Sequence, residues 1–205
     1  MLSAEAITQL HDETTRTWHM SERVCAESSQ PDQWLDRVAR QHRANFDLWH
    51  IEDEARSPGA SNARLADVKR RIDSTNQLRN DLAEELDRAL LEWLEPQRLP
   101  REEAPLHSES PGLIIDRLSI LALKIYHTRE EAERKDAPAE HTCRNLERLA
   151  ILEEQRGDLS RCLDKLWRET LDGTRRFKLY RQMKMYNDPL LNPAIYRSVP
   201  GEKRD

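Results

Sequence analysis

The sequence predicts an all-α protein: a single helical bundle of about five long helices followed by a short basic C-terminal helix. Charged residues make up 35% of the chain and hydrophobic residues 37%, a balance typical of long amphipathic helices with one solvated face. The chain has 5 glycines, too few for a sheet built on many turns. Its 205 residues suffice for one domain, spanning 1–205, with a buried core.

The first two helices are predicted on either side of a break at 29–31. Residues 3–27 carry sparse apolar anchors, so the N-terminal segment 1–30 could lie at the periphery of the bundle. Pro31 suits the first turn of a second helix that runs to about Arg56. The composition of residues 57–61, SPGAS, then predicts a turn.

The third helix is the longest and the fourth the most apolar. The third runs from about Asn62 to Glu95, where Pro96 ends it, and an irregular connection follows to Ser110. Ser110 and Pro111 form a good helix start, because serine can cap free amide hydrogens and proline fits the first turn. The next residues, GLIIDRLSILALKIYH, are apolar on most sides, which predicts a central helix.

The C-terminal third is predicted to contain a long helix and a short basic one. Residues 139–171 place leucines at three- and four-residue steps, the pattern of a packing seam: Leu149, Leu152, Leu159, Leu163 and Leu166. Gly173 ends this helix. A basic helix is expected over 174–186, where it would bind phosphate or complement its own dipole, and 187–205 is expected to be an irregular tail.

Charge and hydropathy limit the classes of partner. With 33 basic and 38 acidic residues the net charge is −5, so nucleic acid is not expected. No apolar run approaches the ~20 residues of a membrane span, and the N-terminus lacks the order of a secretion signal, so we expect a cytoplasmic protein. Cys25, Cys143 and Cys162 are expected to be reduced thiols. Homo-oligomer formation is left open.

A polar stripe follows the second half of the second helix. Four side chains project within roughly 60° of one another, with His42 and Asp53 on the flank: Asn45, Trp49, Glu52 and Arg56. The stripe marks either the point where the helix leaves the core or the wall of a cleft.

The third helix carries a similar ladder, made of Lys69, Asp73, Asn76 and Asn80. Its continuation through Glu84 and Asp87 favours a solvated face. Arg79 differs, because it projects into the apolar arc of the helix, where an unpaired guanidinium would be costly. We therefore expect a buried carboxylate partner or an anionic ligand for Arg79.

In the fourth helix four polar side chains share an arc of about 100° on an otherwise apolar surface: Asp116, Arg117, Lys124 and His127. Charges on a central helix must pair or bind a ligand. They either form structural ion pairs with helices two and three or line a cleft where these helices converge.

The common catalytic signatures are absent: the chain has no phosphate-binding glycine loop, no HExxH, no ExxH pair and no GxSxG. An enzyme would therefore use acids and histidines directly, or a magnesium ion held by carboxylates such as Glu52, Asp53 and Asp73.

Four segments also carry a family resemblance: NFDLWHIEDEAR at 45–56, KRRIDSTNQLRND at 69–81, SPGLIIDRLSILALKIYH at 110–127 and YRQMKMYNDPLLNP at 180–193. In this order they resemble the bacterial family catalogued as domain of unknown function 4254. The resemblance implies a cytoplasmic helical protein, often encoded among genes for lipopolysaccharide or other envelope glycan assembly, beside glycosyltransferases. It implies no established reaction.

Three functional hypotheses follow. In the first, the protein acts in envelope polysaccharide biosynthesis and binds an anionic sugar-phosphate or nucleotide-sugar between helices two to four. Arg79, Lys124 and Arg117 would meet the negative charge. Glu52, Asp73 and either His50 or His127 would bind hydroxyls or act as acid and base.

The second hypothesis is a non-catalytic adaptor of a glycosyltransferase, and the third is a magnesium-dependent phosphohydrolase. A shared cleft requires the stripes to converge, whereas an adaptor requires an exposed apolar strip.

Overall fold

The structure, a computed structural model, describes residues 2–20 and 33–183 and confirms the all-α fold. Within these residues five helices follow one another: α1 (Ala4–Met20), α2 (Gln33–Ala55), α3 (Asn62–Leu94), α4 (Pro111–Glu133) and α5 (Ala139–Leu171). A short 3-10 helix, Glu95–Gln97, extends α3. No described helix is both long enough and apolar enough to cross a bilayer.

The turn chemistry of the sequence accounts for most helix boundaries. The Ser61 hydroxyl accepts a hydrogen bond from the amide of Arg64 and caps α3, as its place at the end of the SPGAS turn suggests. Pro111 occupies the first turn of α4. Gly173 follows α5 with a φ of 70°, a left-handed conformation that ends the helix. Pro31 and residues 21–27 lie outside the described residues.

Helix α4 is central, because it packs against each of the other four helices. Its Ile114, Ile115 and Leu118 are almost completely buried, together with Leu86 of α3 and Leu163 of α5. Burying a side chain of this size stabilises the fold by about 1.5–3 kcal/mol relative to leaving it exposed. The leucine seam of α5 thus packs as its spacing indicates, most deeply near its C-terminal end.

Helix α1 belongs to this core rather than to the periphery. Ala4 and Ile7 are fully buried in the main apolar cluster, and His11 and Thr15 are buried one and two turns further along. The amide of Ala4 also donates to the Asp164 carboxylate at 2.9 Å, which ties the start of α1 to α5. The apolar residues of α1 are few, but Ala4 and Ile7 are among the most completely buried of the described residues.

The start of α4 is capped differently from the prediction. The Ser110 hydroxyl does not cap α4; it donates to the Asp87 carboxylate of α3. The other oxygen of Asp87 accepts from the amide of Gly112 at 2.6 Å. Asp87 is 3% exposed, so the assignment of Asp87 to a solvated face was wrong. Burial raises its pKa to about 6.

The basic helix predicted for 174–186 is also wrong over its described part. Residues 174–183 are not helical, and Arg176 forms an isolated parallel bridge with Leu106. The amide of His107 donates to the Arg176 carbonyl at 2.7 Å, and the Arg176 side chain donates to the Ala104 carbonyl at 2.8 Å. Phe177, 1% exposed, holds the segment on the core. Residues 184–205, including the predicted tail, lie outside the described residues.

Candidate functional site

A buried carboxylate, Asp116, joins α2, α3 and α4. Its Oδ1 accepts from the amide groups of Gln41 at 2.6 Å and Asn45 at 2.9 Å. Arg79 donates to both oxygens, from Nε at 2.8 Å and from Nη2 at 2.5 Å. These bonds raise the pKa of the Arg79 guanidinium. Of the two partners that the sequence allows for Arg79, the structure therefore shows the carboxylate.

The hydrogen-bond network continues toward α1. Asn45 also donates to the Ser119 hydroxyl at 2.9 Å, and Ser119 lies 2.7 Å from Nδ1 of His42. Nε2 of His42 is 2.8 Å from the Thr15 hydroxyl of α1. Burial lowers the pKa of His42 to about 3, so the ring is neutral at neutral pH and fully bonded.

A cleft of about 270 Å³ opens beside this network. Residues of α2 form one wall, while Arg79 of α3 and Ile120 and Leu123 of α4 form the other. The α2 residues are Asn45, Leu48, Trp49, Glu52, Asp53 and Arg56. The predicted stripe of α2 is thus the wall of a cleft, and the opposite wall includes Arg79, the residue that Asp116 holds.

The charges at the cleft mouth are only loosely paired. Arg56 lies 3.4 Å from the Glu52 carboxylate and 3.3 Å from the Asp53 carboxylate, and its side chain is 68% exposed. Such exposed pairs contribute about 0–1 kcal/mol and exchange readily with solvent or a ligand. Arg56 is therefore a cation that a ligand can reach, whereas Arg79 is already neutralised by Asp116.

The ladder of α3 does not line this cleft. Lys69 and Asp73 form an exposed pair with each other. Asn76 is half-buried and accepts a long bond, 3.5 Å, from Nη1 of Arg79, so it supports the guanidinium from outside the cleft. Asn80 is half-buried and also absent from the lining. Asp73 consequently does not join Glu52 and Asp53, and no three described carboxylates form a cation site.

Arg117 and Lys124 also point away from the cleft. Both line a separate hollow against Asp158 and Leu159 of α5. Arg117 pairs with the Glu109 carboxylate at 2.8 Å. The arc of about 100° on α4 is wide enough to face two neighbouring helices. Arg117 and Lys124 lie at the edge that faces α5, whereas Asp116 lies at the edge that faces α2 and α3.

Three histidines from three helices meet next to Trp49. One nitrogen each from His19, His50 and His127 lies within 4.8 Å of the other two. Trp49 stacks on His127 with ring centroids 4.9 Å apart, and it also lines the cleft. The histidine cluster and the cleft are therefore neighbours. Burial lowers the pKa of His50, and the positive charge of either neighbouring histidine lowers it further, while Asp53 and Asp47 oppose the shift.

His19 is the member of this cluster that the sequence does not reveal. It lies at the end of α1, and periodicity gives no information on which neighbours a helix meets. His42, Gln41 and Ser119 were likewise missed as partners in the network. Contacts between Gln41 and His42 of α2 and the polar residues of α4 can be predicted only when the rotation of one helix against the other is known.

The fold and the site define an all-α bundle with a polar cleft between α2, α3 and α4, backed by a buried ion pair. The chain belongs to the family described as "Protein of unknown function (DUF4254)", whose profile matches residues 34–179. Neither curated proteins nor solved structures gave a match.

Proposed function

We propose that the protein binds a sugar-phosphate or nucleotide-sugar in the cleft between α2, α3 and α4. The observation that carries the proposal is the juxtaposition of the Trp49 ring with the Glu52 and Asp53 carboxylates and the Asn45 amide. A pyranose is apolar on its faces and hydroxylated at its edge. An aromatic wall beside hydrogen-bond acceptors suits both parts of such a ring.

The charged residues of the cleft suggest where the phosphoryl group and the sugar of such a ligand would lie. Arg56 is exposed and loosely held, so it can form charge-assisted hydrogen bonds to a phosphoryl group at the mouth. Arg79 stays with Asp116 and keeps its wall of the cleft rigid. Glu52 then faces the sugar hydroxyls. Arg117 and Lys124 take no part, because they line the hollow on the α5 side.

The cellular role is proposed from the same chemistry together with the family. A cytoplasmic protein of envelope glycan assembly would meet sugar-phosphates and nucleotide-sugars, the compounds that the cleft suits. The proposal concerns binding and assigns no reaction.

The adaptor hypothesis receives less support. The large exposed apolar side chains of the described residues include Leu65 and Leu78 on α3 and Leu146 and Ile151 on α5. On α3 Leu65, Leu78 and the exposed Trp93 follow one another at intervals of roughly 20 Å along the axis. On α5 Leu146 and Ile151 lie roughly 140° apart around the axis, so neither helix presents a continuous apolar strip. The magnesium phosphohydrolase hypothesis lacks its third carboxylate, since Asp73 pairs with Lys69.

The experiment is a thermal-shift screen with hexose 1-phosphates, nucleotide-sugars and free hexoses. At one hundred times its dissociation constant a ligand stabilises by about 2.7 kcal/mol. For a chain of this size that raises the unfolding temperature by roughly 5–11 °C. Trp49→Leu and Glu52→Gln should abolish the shift, and Glu153→Gln on the exposed face of α5 should preserve it. Absence of a shift with every compound, or a shift that both cleft variants retain, would refute the proposal.

A further inference from the structure

The histidine cluster presents three ring nitrogens from three different helices. His19 comes from the last turn of α1, and His50 and His127 come from the last two turns of α2 and α4. The ring centroids of His19 lie 5.1 Å from those of His50 and 4.9 Å from those of His127, with the planes at 62° and 78°. The rings therefore do not stack face to face, and one nitrogen of each lies within 4.8 Å of the other two.

Hydrogen bonds fix the orientation of two of these rings. Nδ1 of His19 lies 2.8 Å from the Thr15 carbonyl, which can only accept, so Nδ1 carries the proton. Nδ1 of His127 lies 3.0 Å from the Glu130 carboxylate. In both rings Nε2 is then left with its lone pair. Metal-binding histidines are oriented in this way, with the second nitrogen bonded to a carbonyl or carboxylate.

The same two Nε2 atoms are buried and have no hydrogen-bond partner among the described residues. Leaving a buried polar atom unsatisfied costs about 1–3 kcal/mol. Aromatic neighbours hold the rings in place, since His19 stacks on Tyr126 at 4.3 Å and His127 on Trp49 at 4.9 Å. Two orphaned nitrogens in a cluster of three histidines are groups that a cation with imidazole ligands would satisfy.

From this geometry we infer that His19, His50 and His127 form a binding site for a divalent transition metal ion of the Zn²⁺ class. Neutral imidazoles suit zinc and its neighbours, whereas Mg²⁺ and Ca²⁺ require oxygen ligands. Tetrahedral zinc with bonds of about 2.0–2.1 Å places its ligand nitrogens roughly 3.3 Å apart. The rings therefore close by up to about 1.5 Å when the ion binds, a movement within reach of small side-chain rotations.

The ion would have two effects on the protein. It would link α1 to α2 and α4 through bonds that exist only in the folded state, so it would stabilise the bundle. Three protein ligands also leave one position of a tetrahedral ion for water or an anionic group. Trp49, which touches His127 and lines the cleft, makes this position adjacent to the proposed ligand site. The metal site stands on its own contacts and does not depend on the proposed function.

The test is a titration of the chelator-treated protein with Zn²⁺ alone, by calorimetry and by thermal shift. We expect one ion per chain and a raised unfolding temperature, with no such effect from Mg²⁺. His19→Gln, His50→Gln and His127→Gln should each remove the site. His107→Gln, a histidine outside the cluster, is the matched control and should bind as the unchanged protein does.

A second pair of measurements keeps the inference falsifiable if a histidine variant fails to fold. Glu130→Ala, a change at an exposed side chain, should weaken Zn²⁺ binding by roughly 10–100-fold because the variant no longer orients His127. Co²⁺ in place of Zn²⁺ should give the ligand-field spectrum of a four-coordinate site with nitrogen ligands. No binding, several ions per chain, or binding that the folded histidine variants and Glu130→Ala leave unchanged would overturn the inference.

Discussion

Replacing Asp116 by asparagine tests whether the buried ion pair holds the α2–α3–α4 junction together. The change preserves the shape of the side chain but removes the charge that Arg79, Gln41 and Asn45 all contact. The side chains of Arg79 and Asp116 are 24% and 9% exposed, so water cannot replace the lost bonds well. Breaking a buried pair from one side costs about 3–5 kcal/mol.

The assay is unfolding by urea and by heat, both followed by circular dichroism. For a chain of this size the loss corresponds to a fall of roughly 6–20 °C in the unfolding temperature. Glu153→Gln is the matched control, because it breaks an ion pair with Arg129 in which both side chains are about 45% exposed. Its cost should be within about 1 kcal/mol. If Asp116→Asn costs no more than this control, the pair does not organise the junction.

A double replacement distinguishes the cost of leaving Arg79 unpaired from the cost of losing the other hydrogen bonds to Asp116. Arg79→Met combined with Asp116→Leu removes both charges at once, so it should be less destabilising than Asp116→Asn alone. The recovery should be partial, since Gln41 and Asn45 lose their common acceptor. A double variant that is no more stable than the single one would contradict this reasoning.

Three further predictions concern stability and pH. Gly112→Ala should cost at least about 1–3 kcal/mol, since a Cβ there would lie 2.3 Å from the Ala83 carbonyl oxygen. Its control, Gly157→Ala, should stabilise by about 0.5–1 kcal/mol, because that position contacts only a flexible arginine; equal effects would refute the packing argument. The pKa of His42 is lowered to about 3, so its stabilisation is complete above pH 6.5 and is lost as the pH falls toward 3. Between pH 7 and 5, urea unfolding should show that His42 costs the unchanged protein about 2 kcal/mol of its free energy of unfolding, a loss that His42→Gln does not show. An identical pH profile in both proteins would contradict this prediction. Asp87 should act in the opposite direction: because its pKa is raised to about 6, it stabilises the folded state as the pH falls from 6 toward 3.8. Asp87→Asn should remove this gain in stability from the same pH series, and an unchanged profile in the variant would contradict the prediction.

Local chemistry explains why most of the fold could be predicted. Pro96, Pro111 and Gly173 act within one or two residues of where they occur, so the boundaries of α3, α4 and α5 follow from the sequence alone. The segment 174–183 failed because its conformation depends on a distant partner. Its backbone pairs with Leu106 and its Phe177 fills the core, and neither contact has a local signal.

The site could be predicted only in part for a related reason. Periodicity assigns each side chain to a face of its own helix, and it grouped Asn45, Trp49 and Glu52 on one face. Only the structure shows that this face is the wall of a cleft. It does not give the rotation and shift between helices. Arg117 was therefore grouped with Asp116, although the two face different neighbours, and His19 was not connected to His50 or His127.

A crystal structure of the protein soaked with a hexose 1-phosphate would show directly whether the cleft binds a sugar-phosphate. We expect density for the sugar ring against Trp49 and Glu52, with the phosphoryl group at Arg56. Density in the hollow beside Arg117 and Lys124, or none in the cleft at a concentration that stabilises the protein, would contradict it.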